Sequence, residues 1–302
     1  MPAAYTIPGM VGSFPNKIGW IIEQLSLTHL PTCAHFLNRL LLYGPPGNGK
    51  STIARKIAEC ANCEFIQLNG SHIVTKYMGS GAASIRDIVN KATTQLLYSE
   101  RSVVIFIDEI DSIAANLDTE CRAEHKAALQ ELWLALDEHK QNCRLFFICA
   151  TNHIDQLNKT FLDRFGAQCI EIKNPDAQMR KDILLYYTAE QQIALPAVLI
   201  DMLVHKTDGF SARALEDLVA EVKDYTAHTN EQTVNGNFVF DILRTMKHKM
   251  HKGSTLFSLE EKSIKRNLTV TGMVLNYCGI IGMAVAACTY IKNYLQKKSP
   301  VF

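Results

Sequence analysis

The sequence predicts an α/β protein with a five-stranded parallel sheet, helices on both faces, a smaller all-helical domain after it and a C-terminal apolar helix. Five short apolar runs carry the prediction, at residues 40–43, 64–68, 103–108, 145–150 and 168–172. Helical patterns at 52–61, 82–98 and 122–138 lie between them. The runs are nearly continuous in apolar residues, as strands covered on both faces must be; a sheet with one wet face would alternate. After Asn174-Pro175-Asp176 the strand-like runs stop, and helical spacing continues at 177–190, 196–206, 212–228 and 238–251.

The chain opens with a Pro- and Gly-rich stretch, residues 1–16, expected to run extended. Ile18, Ile21, Ile22 and Leu25 then share one side of a helix over 17–27. The expected organisation is an N-terminal extension (1–35), an α/β domain (36–174) and a helical domain (175–251). A polar linker (252–267), an apolar segment (268–291) and a short basic tail (292–302) follow.

With 302 residues, the chain has room for one large or two modest domains with real cores. A net charge of +1 argues against a strongly electrostatic nucleic-acid binder, so no nucleic acid is expected. Nine scattered cysteines, an odd number, suggest a reducing compartment rather than a disulfide framework. Cys60 and Cys63 form a lone C-x-x-C with no second pair to complete a zinc site, so they read as plain thiols. No charged stretch followed by an apolar run opens the chain, and a secretory leader is not expected.

The most informative stretch is Gly44-Pro45-Pro46-Gly47-Asn48-Gly49-Lys50-Ser51, followed by Thr52. It fits the phosphate-loop pattern G-x-x-x-x-G-K-[ST] without a mismatch and stands between a strand and a helix. The glycines let backbone N–H groups converge on phosphate oxygens, and the helix N-terminus adds partial positive charge. Residues 44–52 are therefore the candidate cradle for the phosphates of a nucleotide. Lys50 is placed to reach the β- and γ-phosphates, and Ser51 to offer a hydroxyl to Mg²⁺.

Residues 103–107 form an apolar strand that ends in Asp108-Glu109. In a phosphate-loop enzyme the first acid holds Mg²⁺ and the second polarises the attacking water. The run at 145–150 ends in Thr151-Asn152, an amide at a strand tip where it could position that water. Leu162-Asp163-Arg164-Phe165 offers an arginine to a neighbouring subunit's nucleotide. Arg213 stands in the first turn of a helix, where a cation opposes the helix dipole.

In order and spacing, these motifs resemble the AAA+ ATPases, and within them the AAA family proper, over residues 36–230. The resemblance implies that Asp108 is the Walker B metal residue and Glu109 the catalytic base. It further implies that Asn152 is sensor 1, Arg164 an arginine finger acting across a subunit boundary, and Arg213 sensor 2; the plain alternative for each arginine is a surface salt bridge. The resemblance also implies that the helical domain is a lid, with nucleotide between it and the sheet domain, in a homo-oligomeric ring, commonly hexameric, that acts on a polypeptide. Tyr77-Met78-Gly79 matches the trio that lines the central pore in that family and grips polypeptide; the plain alternative is that Tyr77 and Met78 pack the loop. Two positions depart from the family's pattern: Asp163 stands where many members carry a second arginine, and Ala212-Arg213-Ala214 replaces Gly-Ala-Asp. No His-Glu-x-x-His occurs, so the zinc protease domain of the membrane-anchored AAA proteases is not expected.

Residues 268–291 contain no charged side chain. As a helix they would reach about 36 Å, against roughly 30 Å of bilayer hydrocarbon. Cys278, Gly282 and Ala286 set small residues four apart, which suits close helix packing in lipid. Asn276, three threonines and three glycines lower the hydrophobicity, and a helix buried in protein is the alternative. The sequence thus predicts an ATP-driven remodeller of proteins, membrane-tethered with its ATPase domain in the cytoplasm or an equivalent reducing compartment; burial of the C-terminal helix would make it soluble. Two alternatives stay open: a nucleic-acid-associated loader or helicase accessory, and a nucleotide-gated scaffold without turnover.

Overall fold

The computed structural model describes residues 6–8, 10–12, 14–26, 38–75, 80–115, 123–229 and 236–251. They fall into two compact units, one ending at Leu243 and the other beginning at Arg244. The described part of the second unit is the end of one helix, Gly236–His251.

In the first unit, helix α1 (Asn16–Ser26) precedes strand β1 (Arg39–Tyr43) and helix α2 (Lys50–Cys60). Strand β2 (Glu64–Asn69) leads into helices α3 (Gly70–Thr75) and α4 (Ser80–Tyr98). Strand β3 (Val103–Asp108) is followed by α5 (Asp111–Ala114) and α6 (Ala123–Glu138). Strand β4 (Leu145–Thr151), helix α7 (Lys159–Phe165) and strand β5 (Cys169–Glu171) complete the sheet. The last described elements are helices α8 (Ala177–Glu190), α9 (Ala197–Lys206), α10 (Ala212–Thr229) and α11 (Gly236–His251).

The sheet order is β2-β3-β4-β1-β5, with every pair parallel. Both faces are buried, as the apolar runs require. Leu40, Leu42, Phe106, Phe146 and Ile148 pack on the face covered by α1 and α2. Leu41, Ile105, Ile107, Phe147 and Cys149 pack on the opposite face, against α4, α6 and α7.

The amino-terminal stretch joins this core: Ile7, Phe14 and the apolar side of α1 are buried beside β1 and α2. Isolated apolar residues between prolines and glycines carry no period that would announce this. The short helices α3, α5 and α7 are likewise too brief to show a helical period.

At the start of the helical part, Arg180 of α8 is buried at 5% exposure. Its Nη1 donates to Pro175 O at 3.0 Å, and its Nη2 donates to Val204 O at 3.0 Å in the last turn of α9. A cation at a helix C-terminus satisfies carbonyls that the helix leaves without partners. Arg180→Ala is expected to destabilise the fold by about 1–3 kcal/mol, because it leaves these acceptors buried and unpaired. Chemical denaturation reads this directly, and a midpoint equal to the parent's contradicts it.

Candidate functional site

Strand register gathers the chemical residues at one edge of the sheet. Tyr43 pairs with Thr151, and Asn69 with Asp108. The loop after β1, the acids ending β3 and the amide after β4 therefore emerge side by side at the carboxyl ends. Ligands of open α/β sheets bind at this edge.

The loop at 44–49 needs its glycines. Gly44 has φ +138°, and a Cβ there would lie 2.2 Å from the Ile172 carbonyl oxygen. Gly49, at φ +76°, begins α2 without any side-chain cap. The first-turn N–H groups of α2 are thus left to an anion, as a phosphate cradle requires. Lys50 is buried at 7% exposure, and its Nζ donates to Gly44 O at 2.7 Å and Pro45 O at 2.8 Å. Burial lowers its pKa from the usual lysine value, while Asp108 and Asp111 raise it. The ammonium is held against the loop that presents it. Pro45 and Pro46 are exposed on the same loop, and Thr52 is exposed in the first turn of α2.

Ser51 Oγ donates to Asp108 Oδ2 at 2.6 Å. A hydroxyl and a carboxylate brought together from two elements form a hard-oxygen pair that fits Mg²⁺. Asp108 Oδ1 accepts the Glu109 N–H at 3.0 Å. Glu109 is exposed and takes φ +51°, a left-handed conformation uncommon for a glutamate. Its carbonyl accepts Ser112 Oγ at 2.7 Å and the Ser112 N–H at 3.0 Å. Strain of this kind collects at functional sites, where the surroundings over-determine it. Gly70 makes room for the turn, since a Cβ there would lie 2.6 Å from Glu109 O.

Thr151 Oγ1 donates to Asp111 Oδ1 at 2.6 Å and accepts the His153 N–H at 2.9 Å. These bonds fix the chain on either side of Asn152, which is exposed.

The helical part reaches the loop directly. The Arg213 N–H donates to Gly47 O at 2.9 Å, and the Ala212 N–H donates to Asn48 Oδ1 at 3.2 Å. Asn48 Nδ2 donates to Asn174 Oδ1 at 2.7 Å, and Asn174 Nδ2 to Gly209 O at 3.0 Å. Asn48 and Asn174 thereby join the phosphate loop, the exit from the sheet and the turn before α10. Asn174 was not singled out from the sequence, where Asn-Pro-Asp reads only as a boundary.

Arg164 stands apart from these residues. Its Nε and Nη2 donate to Asp137 Oδ2 at 3.3 and 3.1 Å, and its Nη1 donates to Thr160 O at 3.0 Å. Its Cζ lies 4.7 Å from the centre of the Trp133 ring. Arg39 approaches the other Asp137 oxygen at 3.9 Å. Arg39 opens β1 while the phosphate loop follows its far end, a separation of about 16 Å at 3.3 Å per residue. Arg164 therefore lies toward the opposite end of the sheet from its own phosphate loop.

Cys63 is buried, and burial pushes its thiol up to about 11. Among the described residues, no group of three or more His, Cys, Asp or Glu side chains could hold a metal ion. Tyr77, Met78 and Gly79 lie outside the described residues, as does the segment 268–291. Among the described residues, no helix is long and apolar enough to cross a membrane.

The parallel sheet, the glycine loop on a helix N-terminus and the Ser51–Asp108 pair define a phosphate-loop nucleotide-binding protein. Residues 40–173 match the ATPase family associated with various cellular activities (AAA), and the chain carries a domain of that family. It is 34% identical over 182 residues to cell division protein C of Sulfolobus acidocaldarius, covering 60% of this chain and 48% of that protein. Proteasome-activating nucleotidase 2 of Haloferax volcanii is 32% identical over 202 residues, covering 65% of this chain and 47% of the relative. ATP-dependent zinc metalloprotease FtsH 3 of Petrotoga mobilis is 33% identical over 200 residues, 65% of this chain and 30% of the relative. The chain spans less than half the length of each of these three relatives.

Proposed function

We propose that this chain hydrolyses ATP in an oligomer and uses the energy to remodel, unfold or extract protein substrates. The observation that carries the proposal is the 2.6 Å bond from Ser51 to Asp108, which joins the phosphate loop to the acidic strand tip beside Glu109. Relatives whose names include a proteasome-activating nucleotidase and an ATP-dependent protease support a protein substrate.

In this reading, the loop N–H groups and Lys50 bind the phosphates of ATP, and Asn48 couples the loop to the helical part. Ser51 and Asp108 are the residues that would hold Mg²⁺, which when bound neutralises charge on the phosphate oxygens. Glu109 accepts the proton of the attacking water as the water oxygen bonds to the γ-phosphorus and ADP leaves. Asn152 orients that water, and Arg213, whose N–H donates to Gly47 O, is the residue of α10 assigned to the phosphates. Arg164, remote from its own phosphate loop, serves the nucleotide of a neighbouring protomer. Completion of each site by a neighbour favours a closed ring, and six protomers is the stoichiometry proposed.

Tyr77, Met78 and Gly79 are proposed to grip the polypeptide, since an aromatic ring stacks with little regard to sequence. The uncharged run 268–291 is proposed to tether the chain to a membrane, with the ATPase domain on the cytoplasmic side or in an equivalent reducing compartment. Both can be tested with the full chain. Tyr77→Ala is expected to lower ATP-dependent unfolding of a fluorescent protein bearing an unstructured tail by about tenfold or more; unfolding at the parent's rate removes the pore role. Carbonate extraction is expected to leave the full chain in the membrane pellet and to release a version ending at Arg266. Release of both alike removes the tether.

A further inference from the structure

The structure assigns Asp137 and Trp133 as positioning residues for Arg164, holding one edge and one face of its guanidinium so that its remaining N–H groups are free to meet a phosphate. This rests on the reading of Arg164 as the arginine that completes a neighbour's site. A guanidinium carries five N–H groups in a rigid plane. Asp137 Oδ2 takes two of them, on Nε and Nη2, which share one edge of the fork. The Thr160 carbonyl takes a third, on Nη1. One N–H on each of Nη1 and Nη2 remains to meet phosphate oxygens.

The supports form a chain back into the fold. Trp133 and Asp137 stand one turn apart on α6, so one helix face supplies both the ring beneath the guanidinium and the carboxylate beside it. Arg39, at 4% exposure, donates from Nη2 to Leu136 O at 3.0 Å and lies against the second Asp137 oxygen. The strand that leads into the phosphate loop thereby anchors the carboxylate that orients Arg164.

Stability alone does not account for the arrangement. The Asp137 side chain is 50% exposed and that of Arg164 22%, and exposed ion pairs of this kind add little to stability. What the arrangement does supply is order. An unsupported arginine would have to give up side-chain freedom each time it met a phosphate, whereas this one is already held.

The test is steady-state phosphate release by the full chain. Asp137→Ala is expected to lower kcat by about tenfold or more while the KM for ATP stays near the parent's; losing the carboxylate beside buried Arg39 also lowers the melting temperature, so rates are compared well below the melt. Trp133→Leu should follow the same pattern, and Trp133→Phe, which keeps a ring, should recover most of the rate. Mixing separates positioning from a structural defect. Lys50→Ala has a crippled nucleotide site but an intact Arg164, so its Arg164 can complete the site of an Asp137→Ala protomer. The mixture should release phosphate faster than either variant alone. Parent-like kcat in Asp137→Ala overturns the inference. So does a silent Asp137→Ala mixture when Arg164→Ala with Lys50→Ala is active. If the Arg164→Ala mixture is itself silent, the intersubunit role of Arg164 falls, and the positioning role falls with it.

Discussion

Glu109→Gln is expected to reduce ATP hydrolysis by roughly 10²–10⁴-fold, the usual contribution of a positioned general base, while nucleotide binding persists. Glutamine keeps the size and loses the ability to take a proton. The contacts that set the turn belong to the backbone of residue 109: its N–H on Asp108 Oδ1 and its carbonyl on Ser112. They survive the substitution, and so does the bond between Ser51 and Asp108. The φ of +51° does not change sign with the side chain, so the strain is neither relieved nor increased. The expected signature is a protein that retains ATP in the presence of Mg²⁺ and releases little phosphate. Parent-like turnover removes Glu109 from the mechanism.

Gly44→Ala is expected to abolish tight nucleotide binding and to cost several kcal/mol of local strain. Two penalties add. The backbone at φ +138° is rarely open to a residue with a Cβ, and that Cβ would meet the Ile172 carbonyl oxygen at 2.2 Å. The oxygen is backbone, and the same residue's N–H donates to Tyr43 O at 2.7 Å. Relief would therefore disturb the pairing of β1 with the chain after β5. Gly49 offers the contrast: a Cβ there meets nothing closer than Thr52 at 3.9 Å, leaving only the penalty of φ +76°. Nucleotide titration should rank the parent first, Gly49→Ala second and Gly44→Ala last. A Gly44→Ala protein that binds as tightly as the parent would contradict the geometry.

The sheet and the phosphate loop were legible in the sequence because both are local signals. The apolar run of β3 ends where its acids begin, and the loop's glycines fall at fixed offsets from Lys50 and Ser51. What could not be read was anything set by pairing across the chain. Nothing in residues 39–43 says that β1 lies between β4 and β5. Nothing near Arg164 points to Asp137, 27 residues away, or to Arg39 on another strand. Asn48 and Asn174 meet across 126 residues, and each taken alone is an ordinary turn residue. Ile7 and Phe14 joined the core without periodicity, because a few apolar side chains on an irregular segment can fill a groove without forming an element. Short helices such as α5 and α7 begin and end within about two turns, less than a periodic pattern needs.

The central claim is that the phosphate loop, Ser51, Asp108 and Glu109 form a site that turns over ATP. Its most direct test is phosphate release from ATP by the full-length protein, with Mg²⁺ present and then removed by chelation. Sustained release with Mg²⁺, lost on chelation and suppressed by Glu109→Gln, is the predicted result. ATP binding without Mg²⁺-dependent release, at any protein concentration that permits assembly, would contradict it.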